Sequence, residues 1–318
     1  MAARAEPVGV VGLGLMGSSV AACLLAAGHP VSGIARNSRD ATSGRMRVLR
    51  HLREMRHEGL LKANLKHVAS RFSASSDYLT LKHCRFVAES VFEDLRSKRN
   101  VIRGIERVVA HDTIIGTNTS ALPITSLQAG LRRPERLIGI HWAEPAHVTR
   151  FMEIVCGAKT SPRVARRAMA LASTWGKKPS LIRRDIRGFI TNRIMYAMLR
   201  EAFFLVESGI CTPEDVDRSV RNDYGSWITY AGPFRFMDIT GIPAYAAVMR
   251  GLNPELNCSK RVPRLIAKIV KSGATGLKTR RGFYRYTPAQ AKKWERRFSE
   301  FSYDIRKLAL KYGDVNRM

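Results

Sequence analysis

A glycine-rich turn near the start of the chain constrains the fold more than any other feature. The segment Gly12-Leu13-Gly14-Leu15-Met16-Gly17 follows an apolar strand pattern at Val8–Val11 and opens an Ala/Leu-rich helix pattern, and a second strand is predicted over Pro30–Ile34. In such a turn the first glycine permits the tight bend, the second lets a pyrophosphate approach the backbone, and the third allows helix–strand packing. The unit therefore predicts a dinucleotide site. Its candidate residues are Gly12, Gly14, Leu15, Met16 and Gly17.

Strand and helix patterns continue to alternate as far as residue 185. Further strands are predicted at Phe86–Ala88, Thr113–Gly116, Leu137–His141, Met152–Val155 and Ser180–Ile182. Such alternation favours an α/β, doubly wound sheet of the Rossmann type. A long helix pattern then runs over Phe189–Glu207, and no convincing strand follows it. We therefore expect a dinucleotide-binding Rossmann domain over 1–185 and an all-helical substrate and dimerisation domain over 186–318.

The composition limits the partners and the compartment. The 318 residues include 54 Lys+Arg and 26 Asp+Glu, a net charge of +28, spread along the chain. This charge attracts anions in general, but no aromatic-plus-basic RNA-binding motif is present, so nucleic acid is not the expected partner. The five cysteines are scattered without metal-ligand spacing, which predicts reduced thiols in the cytoplasm and no metal site. No apolar run reaches the ~20 residues of a membrane span.

The end of the second strand leaves the choice of cofactor open. A carboxylate that binds the adenosine ribose is expected there, but Ile34 is followed by Ala35 and Arg36. With an arginine and no acid, the site allows the 2′-phosphate of NADP. Arg36 could equally stack on the adenine of NAD. The residues therefore predict NAD or NADP.

A carboxylate and an imidazole on neighbouring strands are the candidate catalytic pair. Glu153 lies inside an apolar strand, where an unpaired carboxylate would be costly, so it should have a partner. His141, at the end of the preceding strand, suits that role, since a carboxylate orients an imidazole and raises its basicity. The alternative is a structural ion pair between Glu153 and Arg150.

Several motifs occur together in one order along the chain. They are VGLGLMG (11–17), VAESVFED (87–94), GTNTSALPITSL (116–127), IGIHWAEP (138–145), FMEIV (151–155), RGFITNR (187–193), GPF (232–234) and GLKTRRGFY (276–284). In these motifs the sequence resembles the 3-hydroxyacyl-CoA dehydrogenases over nearly its whole length. The resemblance implies oxidation of a 3-hydroxyacyl-CoA by a nicotinamide cofactor, as in fatty acid metabolism, in a homodimer joined through the helical domain.

The resemblance also implies roles for individual residues. His141 would be the general acid/base and Glu153 would orient it. Ser120 would hydrogen-bond the reacting oxygen, and Asn192 would complete the polar pocket. Glu89 and Asn118 would lie at the cofactor, Glu89 beside its nicotinamide half. Without the resemblance, Ser120 could be a helix cap and Asn192 a helix-starting residue.

Two departures from the family pattern bear on the substrate. Glu144 and His147 would add a carboxylate and an imidazole beside the catalytic base, with Glu144 as a candidate substrate contact. They favour a small free 3-hydroxy acid, carnitine- or gulonate-like, as the alternative to a CoA thioester. A dehydrogenase similar to the 3-hydroxyisobutyrate type is less consistent, because the second domain's long helix begins without a lysine. The last alternative is a non-catalytic dinucleotide-binding protein with a polyanion partner.

The assembly is predicted from an apolar helical segment. Phe203–Val206 is more hydrophobic than a solvated helix face requires. It could lie at a homodimer interface or in the core between helices of one subunit.

Overall fold

The computed structural model describes residues 5–312 and divides the chain into two compact units, Met1–Asn192 and Arg193–Met318. The division falls in the first turn of the long helix that begins at Thr191. In the described range, no helix combines the length and the apolar character needed to cross a membrane.

The first unit is built on one eight-stranded sheet. Its strands are β1 (Val8–Val11), β2 (Val31–Ile34), β3 (Phe72–Ser75), β4 (Phe86–Glu89), β5 (Ile114–Thr117), β6 (Leu137–Trp142), β7 (Phe151–Val155) and β8 (Lys178–Ile182). They lie in the order β3-β2-β1-β4-β5-β6-β7-β8, and only the β6–β7 pair is antiparallel. The predicted doubly wound α/β sheet is confirmed. The order reverses between β1 and β4, which is where such sheets bind their ligands.

Helices connect these strands. They are α1 (Leu15–Ala26), α2 (Ser38–His57), α3 (Leu65–Ser70), α4 (Leu95–Val108), α5 (Ile124–Gln128) and α6 (Pro162–Thr174), with 3-10 turns at Tyr78–Leu81 and Pro134–Arg136. β1 and β4 are buried along their whole length, because helices cover both faces of a parallel sheet. The side chains of Phe86, Leu24 and Ile102 are fully buried in this core.

Two local features differ from the sequence-based expectation. β3 has the polar sequence Phe-Ser-Ala-Ser and lies at the sheet edge, so it lacks the apolar pattern that identifies a buried strand. Residues 43–67 carry apolar residues at helical spacing, but they are divided between two helices, because α2 ends at His57 and Gly59 adopts a positive φ of 71°. α3 then begins after Asn64, whose side chain accepts from the amide of His67.

The second unit is helical, as predicted. After α7 (Thr191–Glu207) come α8 (Pro213–Asn222), α9 (Tyr224–Trp227), α10 (Pro233–Thr240), α11 (Ile242–Leu252), α12 (Arg264–Lys271) and α13 (Pro288–Lys311), with 3-10 turns at Asn253–Glu255 and Leu277–Thr279. Capping boxes start α8 at Thr212 and α13 at Thr287, each followed by a proline that suits the first helical position. Only isolated β-bridges occur in its described part.

Candidate active site

The glycine turn opens a cleft of about 540 Å³ at the carboxyl ends of β1 and β2. Gly12 has a φ of 97°, and a Cβ there would lie 2.6 Å from the carbonyl oxygen of Ser90. A Cβ on Gly17 would lie 1.7 Å from the Gly12 oxygen, so α1 packs against this turn as closely as the motif requires. Gly14 has open space beside it. The free space at Gly14 and the amino end of α1 fit a dinucleotide diphosphate.

Arg36 and Asp40 follow β2, and both line this cleft. The Arg36 Nε donates to Asp40 Oδ2 at 2.9 Å, with the arginine side chain 89% exposed. Asn37 caps α2 by accepting from the amide of Asp40, which fixes the carboxylate in the first helical turn. The acid missing after β2 therefore has a counterpart five residues beyond Ala35. Sequence reasoning missed it because only the strand end was searched.

Glu89 ends β4 but is completely buried. It accepts from the Lys98 ammonium at 2.9 Å, the Thr117 hydroxyl at 2.5 Å and the Val91 amide at 2.7 Å. Burial raises the pKa of Glu89, and these three donors oppose the rise. Glu89 fixes the segment after β4, and Lys98 links it to Asn118 by donating to that residue's carbonyl at 2.9 Å. The predicted position of Glu89 beside the nicotinamide half of the cofactor stays a prediction.

Glu93 holds the loop that carries Ser120. It accepts from the Thr119 hydroxyl and from the amides of Ser120 and Ala121. Partial burial alone would raise the pKa of Glu93, but these bonds and the charge of Lys98 bring it below the usual value. Ser120 is exposed, and among the described residues no hydrogen-bond partner of its hydroxyl is found. Its side chain is therefore available to a ligand.

Asn118 ties this loop to the strand that carries His141. Its side-chain nitrogen donates to the Ser90 hydroxyl at 3.1 Å, and its side-chain oxygen accepts from the amide of Trp142 at 3.2 Å. The side-chain amide of Asn118 is thus bonded within the protein on both its nitrogen and its oxygen, and its predicted contact with the cofactor stays a prediction.

The structure brings His141 and Glu153 together. They are direct partners in the antiparallel register of β6 and β7, and Nδ1 of His141 lies 2.8 Å from Oε2 of Glu153. Both residues are buried, and the rings of Phe151 and Phe189 lie edge-on to the imidazole. Desolvation would raise the pKa of Glu153, but the bond from His141 and backbone amides lower it, so it remains a carboxylate. The Nδ1 proton then belongs to this bond, which leaves Nε2 for proton exchange.

The other oxygen of Glu153 binds the amino end of α7. It accepts from the amides of Ile190 and Thr191 at 3.1 and 2.9 Å. Phe189 precedes them with a φ of 53°, in the left-handed region that costs energy for a bulky residue. The same helix start presents Asn192, whose side-chain nitrogen donates to the carbonyl of Ser120 at 2.9 Å. Glu153 thus orients the histidine and holds the backbone immediately before Asn192.

Glu144 and His147 lie in different surroundings. Glu144 is exposed, although nearby protein atoms desolvate its carboxyl enough to raise the pKa. His147 is buried, with Nδ1 2.8 Å from the Ser19 hydroxyl on α1 and its ring 4.5 Å from that of His51. His147 therefore packs against α1 and α2, and its expected place beside the catalytic base stays a prediction.

A dinucleotide cleft at the switch point of the sheet and a carboxylate-oriented histidine define a nicotinamide-dependent oxidoreductase. The family model described as the 3-hydroxyacyl-CoA dehydrogenase NAD binding domain matches residues 7–186. The model of the 3-hydroxyacyl-CoA dehydrogenase C-terminal domain matches residues 188–286. The chain therefore belongs to the 3-hydroxyacyl-CoA dehydrogenase family, as its motifs predicted.

The relatives in this family differ in substrate. The 5-formyl-3-hydroxy-2-methylpyridine 4-carboxylate 5-dehydrogenase of Mesorhizobium japonicum is 36% identical over 206 residues, which are 65% of this chain and 67% of that protein. A crystal structure of an enzyme of that name, described as an NAD+ dependent dismutase, has a TM-score of 0.88 at 30% identity and covers 96% and 99% of the two chains. The (S)-3-hydroxybutyryl-CoA dehydrogenase of Ralstonia eutropha has a TM-score of 0.75 at 29% identity and covers 89% and 100%.

Proposed function

We propose that the protein transfers a hydride between a 3-hydroxyacyl-CoA and a nicotinamide cofactor, with His141 as the general acid/base. The observation that carries this proposal is the 2.8 Å bond between Nδ1 of His141 and the Glu153 carboxylate, which fixes the tautomer. With its proton on Nδ1, the imidazole presents the Nε2 lone pair, which is the form that accepts a proton from an alcohol.

The remaining residues supply position and charge. A bound nicotinamide would accept the hydride from the alcohol carbon. Nε2 of His141 takes the hydroxyl proton as the carbonyl forms and returns it in the reverse direction, so the proton count balances. The resulting imidazolium lies against the Glu153 carboxylate, which stabilises it. The Ser120 hydroxyl hydrogen-bonds the reacting oxygen, and Asn192 keeps the Ser120 backbone in place.

The basic face of α2 favours a CoA thioester. Arg39, Arg45, Arg50, Arg53 and Arg56 are all exposed on this helix, and phosphates bind such clusters with a strong dependence on salt. The second candidate is a compact free acid. It is favoured by the pyridine-carboxylate dehydrogenase, whose structure has the higher of the two TM-scores.

A pair of substrates tests this choice. Oxidation of 3-hydroxybutyryl-CoA and of free 3-hydroxybutyrate is followed by the absorbance of the reduced cofactor at low and moderate salt. The thioester should have a kcat/KM more than tenfold higher, and this advantage should shrink as salt screens charges over ~10 Å at 0.1 M. Equal rates for the free acid would reject the thioester in favour of the second candidate.

The cofactor proposed is NAD. The Arg36–Asp40 ion pair neutralises the arginine that a 2′-phosphate would need, and places a carboxylate on the adenosine side of the cleft. A carboxylate accepts hydrogen bonds from ribose hydroxyls and repels a phosphate. The name of the matched family domain also favours NAD.

We further propose a homodimer joined through the helical unit. None of the residues of α7–α12 is buried, and Phe204 is 37% exposed. On α13, Trp294, Phe298 and Phe301 follow one helical face and are 56%, 66% and 60% exposed. Monomeric proteins rarely expose that much apolar surface, and a second copy of the same unit would cover it.

Light scattering after gel filtration tests the dimer at micromolar concentration. Phe298→Glu should shift the mass toward that of a monomer. Met46→Glu changes a comparably exposed apolar residue of the first unit and should leave the mass unchanged. A wild-type monomer would reject the dimer.

A further inference from the structure

A cluster of two histidines and a glutamate lies apart from the His141–Glu153 pair and has no role in the chemistry described so far. His51 and Glu54 are one turn apart on α2, so they share a face. His147 comes from the segment between β6 and β7. Folding places the imidazole of His147 beside the side chains of His51 and Glu54. The atoms of these three residues that could bind a metal ion lie within 4.8 Å of one another.

One carboxylate oxygen faces both imidazoles. Oε2 of Glu54 lies 3.1 Å from Nδ1 of His51 and 3.5 Å from Nε2 of His147. Ligand atoms bound at 2.0–2.1 Å in a tetrahedral zinc site are about 3.3–3.4 Å apart. The two separations between Glu54 and the histidines are thus already close to those of such a site. The other oxygen, Oε1, faces Arg50 at 3.9 Å.

Both imidazoles are held by serines of α1 through their opposite nitrogens. The Ser18 hydroxyl lies 3.4 Å from Nε2 of His51, and the opposite nitrogen, Nδ1, faces Glu54, where it could bind an ion on loss of its proton. Ser19 contacts Nδ1 of His147 at 2.8 Å. Hydrogen bonds of this kind orient histidine ligands in metal sites. The two histidine side chains are 7% and 3% exposed and the glutamate 44%, so an ion could enter past the carboxylate.

We propose that His51, Glu54 and His147 form a binding site for a divalent transition-metal ion, for which zinc is the probe. Two imidazoles and one carboxylate suit zinc and its neighbours rather than calcium or magnesium. They leave a fourth position open to water on the exposed side. The bound ion would join α2 to the segment after β6, the strand that ends in His141 and Trp142. The sequence-based expectation of no metal site rested on the scattered cysteines, whereas this cluster contains no cysteine and is brought together by the fold.

Zinc titration of chelator-treated protein, in competition with a chromogenic chelator, tests the site. We expect one equivalent to bind, and zinc to raise the Tm of the wild type by mass action. Glu54→Gln should weaken binding more than tenfold and abolish the Tm shift. Glu58→Gln is the matched control, because the His57–Glu58 pair at the end of the same helix has a similar 3.2 Å contact.

Two further measurements separate this site from others. His141→Ala should retain the bound zinc, since the catalytic pair is not part of the cluster. X-ray absorption of the zinc form should show only nitrogen and oxygen ligands near 2.0–2.1 Å, with histidine scattering that falls in a folded His147→Asn variant. Equal zinc affinity in the wild type and Glu54→Gln, a sulfur ligand, or no bound zinc in the wild type would overturn the proposal.

Discussion

Replacing Glu153 with glutamine tests how the site orients its histidine. The carboxylate accepts on both oxygens, from His141 Nδ1 at 2.8 Å and from the amides of Ile190 and Thr191. Glutamine keeps one acceptor and adds an NH2 group, which must face a donor on one side. If it faces His141, the imidazole must move its proton to Nε2, the atom that should accept the proton from the substrate.

The expected loss follows from that geometry. A hydrogen bond to a charged group contributes about 1.5–3 kcal/mol, which corresponds to roughly 10- to 150-fold in kcat. A locked wrong tautomer would extend the loss toward the ~10⁴-fold seen when the acid of a serine-protease triad becomes an amide. KM for the cofactor should change little. The expected loss is tested by measuring the steady-state kcat of alcohol oxidation, and its dependence on pH, for the wild type and Glu153→Gln.

Glu106→Gln is the matched control. Glu106 is 7% exposed and also accepts from two consecutive amides, those of Arg132 and Arg133, but it contacts no histidine. The Glu106→Gln variant should be less stable than the wild type and should keep the wild-type kcat. If Glu153→Gln kept kcat within twofold of wild type, with an unchanged pH profile, the orienting role would be wrong.

Three more predictions concern the cofactor, acid stability and thiol reactivity. Asp40→Ala should raise the NADP-to-NAD ratio of kcat/KM at least about fivefold, since it removes a like-charge repulsion worth roughly 1–4 kcal/mol beside Arg36. An unchanged ratio would show that Asp40 does not face the 2′ position of the cofactor. Because the pKa of Glu153 is lowered in the folded protein, the carboxylate stabilises the fold above about pH 4.3, and this contribution is lost as the pH falls further. In urea titrations the difference in unfolding free energy between the wild type and Glu153→Gln should therefore narrow below that pH. A difference that stays constant with pH would contradict this. Burial raises the pKa of Cys84 to about 11. After alkylation at pH 8, mass spectrometry should therefore find the exposed Cys258 modified and Cys84 unmodified. Similar labelling of both cysteines would show that the core opens readily.

The sequence predicted those parts of the fold that depend on local pattern. Val8–Val11 and the glycine turn were identified because strand burial and turn conformation each involve residues close together in the chain. β3 was missed because it lies at the sheet edge with polar side chains, where burial imposes no pattern.

The pairing of His141 with Glu153 could be anticipated, since neighbouring strands put their side chains in register. The roles of Glu93 and Lys98 were not predicted, although Glu93 lies within the motif over 87–94 and Lys98 follows it closely. Their partners lie on other elements, and a lysine in an amphipathic helix usually faces water. Only the complete burial of Glu89 explains why a cation lies in the core beside it.

By itself the sequence determined the class of the protein: a glycine turn between strand and helix, a histidine and a glutamate on adjacent strands, and motifs in a family's order. The tertiary structure decided the surroundings of each charge. It paired Arg36 with Asp40 and placed His147 beside His51 and Glu54. The physical reason is that hydrogen bonds and ion pairs depend on distance in space, while sequence patterns report only which face of an element is buried.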